Sequence, residues 1–263
     1  MFTSFMTNAW IVGTVVALLA GATGFFVVLR GSSFAAHAVP NGAFAGAAGA
    51  TLVGVAPLVG LVTFAVVAAL AIGLSRRHRS DVATAIALVT MLALGAAFLS
   101  LSAAYEPQVD ALLFGEILGV ASSSLAPTVA ISVLCALALG VMYRPLLFNA
   151  AAPDLAAARG LNPTVLEIGF MLVLALGAAL SVPVVGALLT FSLTVGPPAA
   201  ARLVTRRPGA ALGLSMGLSV VTLWTAIAAS FQANLPVGFF VGVLSAALYV
   251  AVRLSTRARA HSV

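Results

Sequence analysis

Long apolar runs separated by short polar segments form the main pattern along the chain. A helix needs about 20 apolar residues to cross a bilayer, and nine runs are close to that length. They predict nine transmembrane helices, at residues 8–29, 34–53, 57–74, 82–103, 125–143, 165–180, 184–204, 210–231 and 237–254. A shorter run at residues 111–120 predicts a re-entrant segment or part of a broken helix. Eight crossings are the alternative if one short segment fails to cross.

Arginine residues cluster at the ends of these runs and indicate how the chain is oriented in the membrane. Short loops that carry Lys or Arg stay on the cytoplasmic side. The loops at residues 105–110 and 232–235 contain no arginine, so we expect them on the opposite side. Nine crossings then place the N-terminus outside and the C-terminus inside. The arginines predicted inside are Arg30, those at residues 76–79, Arg144, Arg159, Arg206, Arg207 and those of the C-terminal tail.

The composition supports a membrane protein and argues against several other classes. Of the 263 residues, 62% are hydrophobic and only 7% are charged, whereas soluble domains carry about 25% charged residues. The net charge of +6 comes from arginines at the ends of spans, which does not match a nucleic-acid-binding surface. The sequence has no P-loop and no zinc-protease motif, so we expect no catalysis by this chain. Residues 1–263 are therefore predicted to form one all-α membrane domain, a bundle of eight to nine helices.

The stretch at residues 182–205 combines a membrane-length apolar run with two adjacent prolines, Pro197 and Pro198. Proline lacks a backbone N–H, so the pair is predicted to break the helix. Such a break inside a membrane is tolerated only where protein or a water-filled cavity covers the freed carbonyl groups. We therefore expect this segment to lie inside the bundle, to be separated from the preceding span at Pro183, and to end at a basic face that begins with Arg202.

The same stretch resembles the signature of the metal-ion permeases of ABC importers, the zinc and manganese uptake family. The matching positions are Val185, Gly186, Leu188, Leu189, Leu193, Pro198, Ala199, Ala200 and Arg202. The resemblance extends over most of the chain and implies a multi-pass permease of the ABC importer type in the bacterial plasma membrane. Gly186, Pro197 and Pro198 would belong to its pore-helix signature.

The resemblance also implies partners and a transported ion. The permease would form a homodimer in the lipid bilayer, with ABC ATPase subunits inside and an extracytoplasmic metal-binding solute-binding protein outside. ATP would bind to the ATPase chain, and the permease would hold no permanent cofactor. The transported ion would be a divalent metal, zinc more readily than manganese.

Two other functions stay open at this point. A permease for a chelated metal or cobalamin belongs to the same class, but such chains are usually longer and have ten spans. An ion-gradient-driven secondary transporter commonly shows inverted repeats and several membrane carboxylates. This sequence shows no repeat, and only Glu116 and Glu167 are candidate carboxylates. A co-purifying ATPase would exclude the secondary transporter.

The candidate metal pathway lies in a segment rich in alanine and glycine, residues 34–49. His37 and Asn41 are four residues apart and share one face of a helix. An imidazole nitrogen and a carboxamide oxygen can both ligate a divalent cation, although a lone histidine in an apolar helix is more often hydrogen-bonded to a neighbour. In the family an Asp-x-x-x-His pair is typical here. Alignment on Arg30 and Ser33 places His37 at the aspartate position and Asn41 at the histidine position.

Glu116 is a further candidate for the metal pathway. With Phe114 and Gly115 it matches the F-G-(D/E)-L pattern that is frequent in the family at this place. The alternative is a carboxylate that caps a broken helix. Glu167, near the start of a span, is predicted at the inner interface with a structural role.

The polar segment at residues 150–163 is predicted to be a cytoplasmic connector that contains a short helix. Pro153 and Asp154 resemble a helix start, and Gly160 resembles a C-terminal stop. In the family, a segment of the form Asp-x-x-x-Ala-x-x-x-Gly docks on the ATPase; here Asp154 and Ala158 match it and Gly160 follows Ala158 by two residues. An ordinary connector is the alternative. The residues that the resemblance assigns to ATPase coupling are Asp154, Leu155, Ala158, Arg159 and Gly160.

Overall fold

The computed structural model of the protein describes residues 4–75, 80–101, 112–115 and 125–261. Its elements are α-helices, which confirms the predicted all-α class. We number ten of them in chain order. Their bounds are α1 (Ser4–Leu29), α2 (Ser33–Leu52), α3 (Pro57–Ser75), α4 (Ser80–Ser100), α5 (Leu125–Ala151), α6 (Pro153–Ala158), α7 (Pro163–Val185), α8 (Ala187–Val204), α9 (Pro208–Ala233) and α10 (Val237–His261).

Apart from α6, which has 6 residues, these helices correspond to the predicted apolar runs. Within the described ranges, 7 helices are long and apolar enough to cross a membrane by length and composition. The other two long helices are α2, which contains several small and polar residues, and α4, whose apolar part covers Thr84–Ser100. The predicted helical membrane bundle is thereby confirmed, with 7 candidate spans among the described residues against the eight to nine expected.

Helix α2 lies inside the bundle, where it contacts α3, α4, α7 and α8. Most of its residues are buried, and most of the buried ones are alanine or glycine. Small side chains let helix backbones approach closely in a membrane, where packing replaces the hydrophobic driving force. At Gly46 of α2 and Gly60 of α3, a Cβ atom on either residue would collide with the carbonyl oxygen of the other. The composition of this segment therefore explains its central position.

The proline pair does not break its helix, so this part of the prediction is wrong. Helix α8 continues through Pro197 and Pro198 without interruption. A proline leaves the carbonyl four residues earlier without its helical donor, and for Pro198 that carbonyl belongs to Thr194. It lies against Gly24 of α1, so closely that no Cβ atom would fit there. The neighbouring helix, and not lipid, thus covers the freed group, as the membrane environment requires.

The turn between α7 and α8 occurs at Gly186 and not at Pro183, which α7 contains. Gly186 adopts φ 92° and ψ 152°, a conformation that residues with a Cβ atom rarely adopt. A Cβ atom at this position would also collide with the carbonyl oxygen of Leu113. A single glycine therefore makes the turn, and the described segment 112–115 packs against it.

Two helices extend further than their apolar runs. Helix α5 passes through Arg144 and Pro145 and ends at Ala151, and α10 ends at His261. Hydropathy marks only the part of a helix that lies in lipid, whereas helical hydrogen bonds continue into water. The predicted ends at residues 143 and 254 are therefore too early.

Several arginines gather at one end of the bundle, which we call the arginine-rich end. Arg30, after α1, forms an ion pair with Glu167 near the start of α7. Arg202, in the last turn of α8, donates a hydrogen bond to the carbonyl oxygen of Val28 at 3.0 Å. The short helix α6 lies beside α5 and α7 near this end. Because loops that carry arginine stay inside, this end is predicted to face the cytoplasm.

Candidate metal pathway and coupling segment

The two predicted metal-pathway residues of α2, His37 and Asn41, are in direct contact one helical turn apart. The Nδ2 atom of Asn41 donates a hydrogen bond to the His37 carbonyl oxygen at 2.7 Å. Asn41 is only 1% exposed, and His37 is partly buried. The four-residue spacing thus brings both side chains to one face of α2, as predicted.

Each residue of this pair holds one buried polar atom without a hydrogen-bond partner among the described residues. These atoms are Nδ1 of His37 and Oδ1 of Asn41. Leaving a buried polar atom without a partner costs about 1–3 kcal/mol, and native proteins rarely do so without a reason. An imidazole nitrogen and a carboxamide oxygen are both able to ligate a divalent metal ion. One ligand atom of each residue is therefore unoccupied by any described residue.

Phe191 of α8 packs beside the pair. Its ring centroid lies 5.2 Å from that of His37, and the two ring planes are inclined by 73°. An apolar ring in this edge-to-face position restricts the orientation of the imidazole. Sequence reasoning missed Phe191. The available signal was that it is the single aromatic residue in the sequence of α8, inside the signature-bearing stretch.

One chain supplies few ligands at this place. In the part of the chain that the structure describes, no group of three or more His, Cys, Asp or Glu side chains could hold a metal ion. A structural zinc site uses four protein ligands, whereas this pair supplies two. An ion that crosses a membrane must be bound firmly enough to enter and loosely enough to leave. Two neutral ligands are compatible with that requirement.

Glu116, the third predicted metal-pathway residue, lies outside the described residues. The two preceding residues of its motif are described. Gly115 has φ 79°, and a Cβ atom there would collide with backbone atoms of Val184 and Val185. The Phe-Gly part of the motif is therefore seated at the turn between α7 and α8, next to Gly186.

Glu167 pairs with Arg30, in agreement with the structural role predicted for it. The two side chains are 8% and 6% exposed, respectively. The Arg30 guanidinium also lies 4.9 Å from the ring centroid of Phe170, one turn further along α7. Mutual neutralisation is what makes two charges tolerable at such a buried position. Sequence reasoning placed both residues at the inner side but did not predict that they form a pair.

The predicted coupling segment contains a helix with well-defined ends. Helix α6 begins with Pro153 and has Asp154 in its first turn, which confirms the predicted start. At the other end, Gly160 has φ 80°, and its N–H donates to the carbonyl of Ala157. The N–H of Leu161 donates to the carbonyl of Ala156. This is a Schellman C-cap, and it confirms the predicted stop at Gly160.

Helix α6 exposes most of its side chains and buries one. Ala156 is fully buried and anchors the helix, whereas Leu155 is 62% exposed. Asp154, Ala158 and Arg159 are exposed as well. The Arg159 guanidinium lies 5.4 Å from the Phe148 ring centroid on α5. The predicted ATPase-coupling residues therefore form one exposed patch beside α5 and α7.

Comparisons with known proteins agree with this architecture. The family model "ABC 3 transport family" matches residues 2–255. The chain is 29% identical to the manganese transport system membrane protein MntC of Listeria monocytogenes, over 89% of this chain and 85% of that protein. It is 24% identical to a Haemophilus influenzae protein described as "Probable iron transport system membrane protein", over 94% and 92% respectively. The solved structure of PsaBC from Streptococcus pneumoniae in complex with Fab has the same fold, with a TM-score of 0.86 at 24% identity, over 95% of this chain and 91% of that chain.

The match to the family model covers nearly the whole chain, so the resemblance inferred from the sequence is confirmed. The protein is a multi-pass bacterial membrane protein, as expected. Within an ABC transporter the permease is a transport subunit and is not itself catalytic. The chain belongs to the ABC-3 transport family.

Proposed function

We propose that this chain is the permease subunit of an ABC importer for a divalent transition metal. The observation that carries the proposal is the pair of ligand atoms without partners, Nδ1 of His37 and Oδ1 of Asn41, on the central helix α2. The names of the relatives support a metal as the substrate. Membership in an ABC transport family argues against the secondary-transporter alternative.

Manganese is our first candidate for the transported metal. Six relatives carry manganese in their names, whereas one is named for iron. The expected preference for zinc has no support from these relatives, and we propose zinc as the second candidate. A carboxamide oxygen suits manganese and an imidazole nitrogen suits zinc or iron. We therefore expect the pair to accept more than one of these ions.

The proposed transporter contains two copies of the permease and two ABC ATPases at the arginine-rich end. A metal-binding solute-binding protein delivers the ion at the opposite end. The exposed residues Asp154 and Leu155 of α6 dock on the ATPase, which binds the ATP. Closure of the ATPases then displaces α6, and with it α5 and α7, so that the pathway beside His37 opens alternately to the two faces. PsaBC has the same fold, which is compatible with such an assembly.

Replacing His37 by alanine tests the proposed pathway. The change removes one of the two ligand atoms, and loss of a group that supports metal binding typically costs about 10–100-fold. We expect His37→Ala to lower manganese uptake to a similar extent in proteoliposomes that contain the complete transporter. Uptake of radioactive manganese and zinc is measured together with ATP hydrolysis.

Thr225→Ala is the matched control for His37→Ala, because Thr225 is an exposed residue of α9 whose hydroxyl donates to the Val221 carbonyl of the same helix. This variant should transport at the wild-type rate. Transport of both metals by His37→Ala at the wild-type rate would show that the pair serves packing alone. The pathway would then have to be sought at Glu116.

Replacing Gly160 by tryptophan tests the coupling segment. The residue has φ 80° and open space around it, so a bulky side chain distorts the end of α6 without a clash inside the permease. We expect Gly160→Trp to assemble with the ATPase but to uncouple hydrolysis from uptake. Metal uptake should fall to background while ATP hydrolysis persists.

Gly54→Trp is the matched control for this change. Gly54 also has positive φ, 72°, and open space around it, but it lies in the turn between α2 and α3. Both variants carry the same backbone strain, so only an effect specific to α6 separates them. An equal ratio of metal uptake to ATP hydrolysis in the two variants would refute the assignment of α6 as the coupling helix.

A further inference from the structure

A groove leads from the His37–Asn41 pair towards the arginine-rich end. Ser33 of α2 lines it one turn before His37, and Phe191 of α8, whose ring packs on His37, lines it as well. Helix α10 forms the opposite wall. The groove therefore belongs to the proposed pathway and lies between the pair and the end of the bundle that is predicted to face the cytoplasm.

The groove offers room for a metal ion but no strong ligand. Its volume is about 370 Å³, whereas six water molecules occupy about 180 Å³ in the liquid. A divalent ion can therefore enter the groove together with a first shell of water. None of the described lining residues is Asp, Glu, His or Cys, the side chains that bind divalent metals most firmly. The groove is suited to passing a hydrated ion and not to retaining it.

Two exposed arginines are attached to the walls of this groove by hydrogen bonds to lining residues. The Nη1 atom of Arg202 donates to the carbonyl oxygen of the lining residue Val28 at 3.0 Å. The Nη1 atom of Arg253 donates to the hydroxyl of the lining residue Tyr249 at 3.5 Å. The two helices that carry these arginines, α8 and α10, contain no Asp or Glu residue. The groove therefore has two positive charges at its rim, and no carboxylate of either helix neutralises them.

The charges at the rim make a divalent cation less stable in the groove than in the surrounding solution. One positive charge about 10 Å from a divalent cation weakens its binding by about fourfold in water. Screening at physiological ionic strength reduces this factor to less than about twofold. An ion that has left His37 and Asn41 therefore departs from the groove readily, and cations from the cytoplasm do not accumulate in it.

We propose that Arg202 and Arg253 form a cationic rim that opposes the return of cytoplasmic metal ions into the pathway. Positively charged groups exclude cations from other membrane pores in the same way. The inference rests on the proposed function and adds a role in direction to it, because the rim favours release over re-entry. Arginines that only orient the chain in the membrane would not affect how metal inside the cell acts on transport.

The test uses proteoliposomes that contain the complete transporter with its arginine-rich end and ATP in the lumen. Initial uptake of radioactive manganese is measured at increasing concentrations of free unlabelled manganese in the lumen, which gives the lumen concentration that halves uptake. Arg253→Gln should lower this concentration by about fourfold at low salt and by less than about twofold at physiological salt. Arg253→Glu also adds a negative charge and should lower it by about sixteenfold at low salt.

Two control variants separate the rim from general effects of charge. Arg253→Lys keeps the charge and should be inhibited at the wild-type concentration. Arg144→Gln loses the same charge from an exposed residue of α5, which contributes no residue to the groove lining, and should also match the wild type. Wild-type inhibition of Arg253→Gln, or an equal shift in Arg253→Gln and Arg144→Gln, would overturn the rim while manganese uptake still supports the proposed function. A wild-type complex that takes up neither manganese nor zinc would overturn both proposals.

Discussion

Two polar pairs lie inside this bundle, and they are built in opposite ways. Arg30 and Glu167 carry opposite charges and meet directly, with side chains that are only 6% and 8% exposed. His37 and Asn41 touch through one backbone carbonyl, and each keeps a ligand atom without a partner among the described residues. The first pair joins α1 to α7, whereas the second lies within α2 alone.

The difference separates a structural role from the functional role that we propose for His37 and Asn41. A buried charge is stable only when its partner is present, so the Arg30–Glu167 pair holds two helices in one arrangement. A buried neutral ligand without a partner contributes little to stability, and its cost is recovered only when an ion binds. Mutations in the first pair should therefore affect folding, and mutations in the second should affect transport.

The largest effect is expected for Glu167→Ala. This change leaves the Arg30 guanidinium buried without its counter-charge, which typically costs about 3–5 kcal/mol. We expect a strong loss of folded protein and a lower midpoint of thermal unfolding in detergent. Replacing both residues, Arg30→Met with Glu167→Leu, should recover most of the loss because no charge is left unpaired. If Glu167→Ala unfolds at the same temperature as the wild type, the pair is not structural and the comparison fails.

Converting His37 and Asn41 to the Asp-x-x-x-His pair typical of the family should affect stability less than Glu167→Ala does. It should instead change the metal selectivity. The double variant His37→Asp with Asn41→His adds an anionic oxygen and keeps one imidazole. A carboxylate favours manganese over softer metals, so the ratio of manganese to zinc uptake should rise. Competition between the two ions in proteoliposomes measures this ratio. Complete loss of uptake in a correctly folded double variant would show that position 37 requires histidine.

The smallest effect is expected for Asn41→Ala. The variant removes one neutral ligand atom and the hydrogen bond to the His37 carbonyl but keeps the imidazole, so we expect a smaller loss of metal uptake than in His37→Ala. The midpoint of thermal unfolding should change little, because the truncation leaves no buried charge without its partner. Thr23→Ala on α1 is a suitable comparison, because its buried hydroxyl bonds only to carbonyls of its own helix. A loss of stability in Asn41→Ala without a loss of uptake would assign Asn41 to packing.

The sequence predicted the helices well because the dominant signal in a membrane protein is apolar length. The run at residues 57–74, for example, lies within one residue of α3 at its end. The ends of α5 and α10 were placed too early, since hydropathy cannot detect a helix that continues into water. The prolines at 183, 197 and 198 misled the prediction for a different reason. Whether a proline breaks a helix depends on what covers the freed carbonyl, and for Pro198 that cover comes from Gly24 on α1, a helix far away in the sequence.

The candidate site could be predicted only as far as spacing within one helix allows. His37 and Asn41 share a face of α2 because they are four residues apart, and this follows from helical geometry alone. Phe191 and the pairing of Arg30 with Glu167 depend on contacts between helices far apart in sequence. A single sequence contains no direct signal for such contacts. The start and stop of α6 were predictable, because proline and glycine encode helix ends locally.

Hydrogen bonds fix both ends of α6 to the neighbouring helices, and this determines how a movement of α6 spreads. The connection from α5 to α6 is a single residue, Ala152, whose carbonyl already accepts from Ala156. After the Schellman cap, the Asn162 side chain accepts from Thr164 and Val165 at the start of α7. The two connections are therefore short and held by hydrogen bonds. We expect a displacement of α6 to move α5 and α7 with it. Because Glu167 of α7 pairs with Arg30, we expect the movement of α7 to reach the turn from which α2 begins.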